Sequence, residues 1–282
     1  RCLFMKKEIR IVNKEKGTVQ ITTADERWYS YETVDPVTGL PTIMWRPSVT
    51  FITSSYPKGV AYMKWLADKG YDEAEAVKIE AGDRGTIVHH AIEKAILEGS
   101  ISMDAKIADR EGTDREMTPD EWFHVVTFFQ WHESVGSPEP LATELTVESD
   151  VYEYAGTLDY IFAINGENVL LDVKTSKYIW PSHELQVSAL KQATHESTEI
   201  KIDKLAVLQT GYMANKVQKY KYTEIDDQFP LFLATKEIWK KEHSGERPLQ
   251  RDYPISIAIK RPHARDAQAQ RTAPTSKAGA KR

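Results

Sequence analysis

The chain has 282 residues, 41% hydrophobic and 10% aromatic, enough apolar material for one large domain or two small ones and too much for global disorder. Its one cysteine, Cys2, excludes a disulfide framework, a cysteine-based zinc site and a four-cysteine iron–sulfur cluster within one chain. The net charge is −5, but residues 260–282 carry seven Lys or Arg against one Asp, a local +6 that leaves −11 on the other 259 residues. A nucleic-acid binder with that balance must gather its basic side chains in one groove.

The chain opens RCLF before MKKEIR, which makes Met5 the expected natural start. β-Branched and aromatic alternation predicts strands over 8–12, 18–22 and 27–33, ahead of the turn DPVTGLP; residues 1–46 read as a small β-rich extension. Val60, Met63, Leu66 and Ala67 then recur at helical spacing, with Gly70 placed as a C-cap. A second helix is expected after AGDRG, with Ile87, Ala91, Ile92, Ala95 and Ile96 on its apolar face and Gly99 as its end. In that reading Gly82 and Gly85 let the backbone approach a phosphate at the helix start, and Arg84 beside them is either a DNA contact or a solvent-exposed side chain. Residues 102–117 read as a loop. A third helix begins at TPDEWFHVV, with Thr118 as N-cap, Pro119 at the first helical position and Glu121 completing a capping box. Its aromatic residues Trp122, Phe123, Phe128, Phe129 and Trp131 read as core.

Strands follow at LATELTVES, GTLDYIFAI and NVLLDVKTS, then a helix at SHELQVSALKQATHES, a strand at KLAVLQTGY, an edge strand at VQKYKYTEI and a last helix with a proline near its start. Interleaved strands and helices predict an α/β or α+β domain with a mixed central sheet flanked by helices, over residues 47–259. Residues 260–282 form a basic tail expected to be disordered. No apolar run reaches the length of a membrane span and no signal peptide is recognised, so no membrane association and a cytoplasmic location are expected.

The stretch YEYAGTLDYIFAINGENVLLDVKTSK, residues 152–177, is where chemistry enters. Asn165-Gly166 is a type I′ hairpin signal, and a two-residue turn there puts Asp159 opposite Asp172. A four-residue loop, 165–168, instead puts Asp159 opposite Lys174. Either register places Asp159, Asp172 and Lys174 on one face. Facing carboxylates repel, and a divalent cation reverses the sign of that interaction. A nearby lysine can stabilise the transition state of phosphodiester hydrolysis. Upstream, His89 and Glu93 are four apart on one helix face, and both side-chain types ligate metals. Glu144 lies one strand before the hairpin and Gln186 on the helix after it.

In order, GTIVH (85–89), Glu144, GTLD (156–159), DVKT (172–175) and QVSAL (186–190) resemble the motifs of the PD-(D/E)XK nuclease superfamily, and within it the RecB-like exonucleases. PSVTFI, from Pro47, resembles phage-type and mitochondrial genome maintenance exonucleases of that group. The resemblance spans about residues 47–215, with Leu190 standing where the family has an aromatic residue. It implies a restriction-endonuclease-like core and a DNA exonuclease dependent on Mg²⁺ or Mn²⁺, without an iron–sulfur cluster. It implies metal binding by His89, Asp159, Asp172 and the backbone carbonyl of Val173, with Glu93 and Glu144 supporting, and catalysis by Lys174 with Gln186. Ser48, Arg84, Thr175 and Lys177 are the expected DNA contacts. The expected setting is a bacterial or phage-infected cell, with DNA as substrate and a single-strand annealing protein as partner. An endonuclease and a non-catalytic DNA-binding module of the same fold are the alternatives.

Overall fold

Four antiparallel strands open the chain and pair in chain order: β1 (Glu8–Asn13), β2 (Thr18–Thr22), β3 (Arg27–Val34) and β4 (Pro41–Pro47). The computed structural model describes residues 8–13, 16–23, 26–110, 112–214 and 217–243. These fall in one compact unit, Arg1–Pro248; the basic tail and the expected boundary at residue 259 lie outside the described residues. β4 is an addition to the sequence reading. A proline at each end hid it, yet both are tolerated because β4 is an edge strand that needs only β3 as partner.

α1 (Val49–Thr53) is capped by Ser48, whose Oγ accepts from the Phe51 N–H at 3.0 Å. α2 (Val60–Lys69) ends at Gly70, which takes a φ of 77°. Its apolar spacing does not mark a core face, since no residue of α2 is buried and Val60 and Met63 are exposed. α3 (Tyr71–Glu98) is one helix of 28 residues. This corrects the expected start after AGDRG: the Ala-, Glu- and Lys-rich residues ahead of it have enough helix propensity to carry the helix through two glycines. Gly82 and Gly85 are therefore mid-helix, and the reading of a phosphate at the helix start fails there. Gly99, at a φ of 75°, ends α3 as expected.

Within 102–117 a small hairpin forms from β5 (Ile107–Ala108) and β6 (Asp114–Arg115), pinned by His90 Nδ1 donating to the Ala108 carbonyl at 2.8 Å. α4 (Pro119–Ser134) has the predicted capping box, and Arg115 pairs with its Glu121. The remaining elements are β7 (Pro140–Ser149), β8 (Tyr154–Ile164), β9 (Glu167–Lys174), α5 (Pro181–Ser197), β10 (Lys204–Ala214), β11 (Val217–Ile225) and α6 (Phe229–Glu242).

The central sheet has the order β11-β10-β9-β8-β7, with β9 and β10 parallel and the other pairs antiparallel. One core, under α1, α5 and α6, holds Leu158, Ile161, Leu170 and Val207; the other, under α3 and α4, holds Tyr160, Phe162, Leu171, Val173 and Leu208. β9 lies between two partners and is buried on both faces, which is why Val169–Val173 reads as an apolar run broken by one aspartate. The protein is thus a mixed α/β fold of α+β type, a mixed central sheet flanked by helices. Among the described residues no helix is long and apolar enough to cross a membrane.

Candidate active site

The Asn165-Gly166 turn decides the hairpin register. Both residues have positive φ, 53° and 84°, and Ile164 pairs with Glu167. The ladder then runs to Tyr160↔Leu171 and stops one step short of Asp159 and Asp172. Beyond that pair β8 stays with β7 as far as Tyr154, while β9 stays with β10 as far as Lys174. The sheet forks between β8 and β9. Leu158 and Tyr160, which should share a face of β8, enter opposite cores, so the strand turns about Asp159. Across the β7–β8 ladder, between Thr143↔Tyr160 and Leu145↔Leu158, Glu144 has a φ of 47°, a conformation glutamate seldom adopts.

The fork separates the three residues expected on one face. Asp159 Oδ2 accepts from the Val173 N–H at 2.7 Å. Its Oδ1 lies 3.6 Å from His89 Nδ1, and Glu144 Oε1 lies 3.9 Å from the same nitrogen. His89 Nε2 donates to the Val173 carbonyl at 3.0 Å, which leaves Nδ1 facing the two carboxylates. Ligand atoms of His89, Glu144 and Asp159 all lie within 4.8 Å of one another. Asp172, only 1% exposed, turns instead to Lys174, whose Nζ is 2.8 Å from Oδ1 and 2.7 Å from Oδ2. Asp172 Oδ2 is buried without a well-directed hydrogen bond.

Burial and charge act against each other here. Burial disfavours the His89 imidazolium, but Asp159 and Glu144 outweigh it and raise its pKa to about 9. Burial raises Asp159 and Asp172 against the pull of the neighbouring cations. Burial alone would lower Lys174; Asp172 and Asp159 hold it above its ordinary value. Glu93 is raised by burial and by Glu144. A cluster whose carboxylates are driven toward protonation by burial suits a hard divalent cation, which would favour their charged forms. The donor set fits: His89, Glu144 and Asp159 would hold it, with Asp172 adjoining.

No family model and no curated protein matches this chain. A solved structure described as the crystal structure of SSO0001 aligns over 44% of this chain and 60% of its own, with 14% identity and a TM-score of 0.29, too slight a likeness to carry an argument.

The cavity above the fork has a volume of about 690 Å³. Of the expected site residues, Ser48, Arg84, His89, Glu93, Glu144, Asp159, Val173, Lys174, Thr175 and Gln186 line it. Asp172 is outside the lining and reaches it only through its ion pair with Lys174. Lys177 is exposed outside the lining, its ammonium 5.5 Å from the Tyr178 ring centre. The Ser48 hydroxyl is committed to the α1 cap. Arg84 approaches Asp120 at 3.8 Å, and its buried Nε lacks an acceptor.

His183 also lines the cavity, and the sequence reading missed it. Burial and the adjacent Lys174 lower its pKa to about 4, so it is a neutral imidazole. Its position three residues before Gln186, on the same face of α5, was a signal available from helical spacing. His124 was missed as well; its Nδ1 bonds Thr210 Oγ1 at 2.9 Å, and that hydroxyl reaches the Lys174 carbonyl at 3.4 Å. No local pattern ties α4 to β10 in this way.

Proposed function

We propose that this chain is a metal-dependent deoxyribonuclease of the PD-(D/E)XK type, an exonuclease that hydrolyses phosphodiester bonds from DNA ends in phage-type recombination or end processing. The observation that carries this reading is the meeting of α3, β7 and β8 in one cavity. They bring an imidazole and two carboxylates within 4.8 Å of one another, beside the ion pair of Lys174 with the buried Asp172. A bound Mg²⁺ or Mn²⁺ would neutralise a phosphate oxygen and lower the pKa of a water.

The protein's own groups have separable tasks. The Val173 carbonyl fixes the His89 ring through Nε2, so that Nδ1 is presented to the cavity in its ligating role. The Val173 N–H holds Asp159 in the same way. Asp172 keeps the half-buried Lys174 charged, and the Lys174 ammonium is placed to stabilise charge building on the phosphate. Gln186 and the cavity hydroxyls orient the strand. A single-strand annealing partner and a bacterial or phage-infected host follow from the motif resemblance alone.

End-labelled linear and closed circular DNA, incubated with Mg²⁺ and with chelator, test the proposal. Metal-dependent loss of linear DNA with circles intact is the expected result. Cleavage of the circles would assign an endonuclease. Failure to cut either substrate would remove the enzyme reading.

A further inference from the structure

The N-terminal sheet lies on the face of β7 and β8 that leads to the carboxylates, and its direction there can be traced. Tyr31 Oη donates to Asp150, at the turn joining β7 to β8, over 3.4 Å. Tyr29 Oη bonds Thr157 Oγ1 on β8 at 3.1 Å. Tyr31, Tyr29 and Arg27 are alternate residues of β3 and share one face. From Asp150 to Thr157 that face advances along β8 toward Asp159, and Arg27 is its next residue. Arg27 lines the same cavity as His89, Glu144, Asp159 and Lys174. Its guanidinium has no hydrogen-bond or ion-pair partner among the described residues.

The surface leading to it is polar. Gln20 Nε2 donates to Tyr29 Oη at 2.8 Å, and Thr157 Oγ1 is bonded to Thr146 Oγ1 at 3.1 Å. Gln20, Thr146 and Thr157 all line the cavity. An unpaired guanidinium at one end of a track of hydroxyl and amide groups, with the carboxylate cluster further along it, matches a nucleic-acid backbone. On such a surface one phosphate would lie at the carboxylates and another at the guanidinium.

We propose that Arg27 binds a phosphate of the DNA strand next to the one held at the carboxylates, so that the N-terminal sheet forms a wall of the substrate cleft. This rests on the nuclease reading and adds a substrate-binding residue to it, from a segment to which the nuclease motifs do not extend.

The test is fluorescence anisotropy of a labelled single-stranded oligonucleotide in chelator, at several salt concentrations, with and without a terminal phosphate. Wild type, Arg27→Gln and Arg27→Lys are compared, and digestion kinetics are measured in Mg²⁺. Arg27→Gln is expected to bind about tenfold more weakly, with a log K against log[salt] slope shallower by about 0.7, and to raise KM more than it lowers kcat. Arg27→Lys restores most of the affinity. A loss confined to the terminally phosphorylated oligonucleotide makes the contact a terminal phosphate, and an equal loss on both makes it internucleotide. If wild type binds and digests DNA while Arg27→Gln keeps its affinity and salt slope, the inference is overturned and the nuclease reading stands. If wild type neither binds nor digests DNA, both fall.

Discussion

A glutamate held at a φ of 47° inside a strand costs on the order of 1 kcal/mol relative to extended backbone. Glu144 carries that strain at the point where β7 and β8 turn, and the distortion brings its carboxylate to within 3.9 Å of His89. Glu144→Gly should therefore hold or raise the melting temperature in chelator while lowering metal-dependent cleavage by about 100-fold or more; a variant that melts well below wild type would show that the strain is not there to be relieved. A second residue offers a pH test. Lys236 on α6 is buried, and burial, reinforced by Lys240, lowers its pKa to about 8 from 10.5. Between those values the unfolded chain binds more protons than the folded one, so this group's contribution to stability rises with pH from about 8 to 10.5. Below about 8 the full penalty is present. Lys236→Met should stabilise the protein by about 1–3 kcal/mol at pH 7, with the gain shrinking above pH 8; denaturant melts of the two proteins across that range check it. Neither feature was legible in the sequence. Glu144 was singled out only by its place in a motif, and Lys236 by nothing, because burial and backbone strain come from tertiary packing.

At the scale of elements, the strongest short-range signals match the structure. The Asn165-Gly166 turn, the Thr118–Glu121 capping box, and the glycine stops at Gly70 and Gly99 each depend on a few adjacent residues. The continuity of α3 is local as well, carried by the helix-forming residues before Gly82, yet the two glycines mask it in the sequence. A Cβ added at Gly82 meets Arg110 Nη1 at 3.6 Å, and one at Gly85 meets Thr175 Oγ1 at 3.8 Å, both ordinary contacts. Gly82→Ala should thus stabilise the helix by about 0.5–1 kcal/mol. Gly156 behaves in the opposite way. A Cβ there would lie 2.6 Å from Leu190 Cδ2 and 3.1 Å from Val49 Cγ2, where β8 meets α5 and α1. Gly156→Ala should cost about 1–3 kcal/mol. Thermal melts of the two alanine variants would shift in opposite directions, and equal shifts would contradict this account of where the helices press on the sheet. Leu190, read from sequence as a departure from an aromatic position, is the side chain that fills the space above Gly156.

At the scale of the molecule, the mixed sheet and its two cores follow from the alternation of strand and helix patterns, since each pattern fixes a buried face. The fork between β8 and β9 does not follow from them. The sequence leaves two hairpin registers open and the two-residue turn selects one of them, yet pairing stops before Asp159 and Asp172, because β8 follows β7 while β9 follows β10. That divergence opens the cavity, turns Asp159 to His89 and Glu144, and leaves Asp172 with Lys174. The central claim is that His89, Glu144 and Asp159 make a divalent-cation site. The direct measurement is a calorimetric titration of Mn²⁺ into chelator-treated protein, wild type beside Asp159→Asn. Saturable binding in the wild type, weakened at least tenfold in a folded Asp159→Asn variant, is the predicted result. No binding to wild type, or equal binding by both proteins, would contradict it.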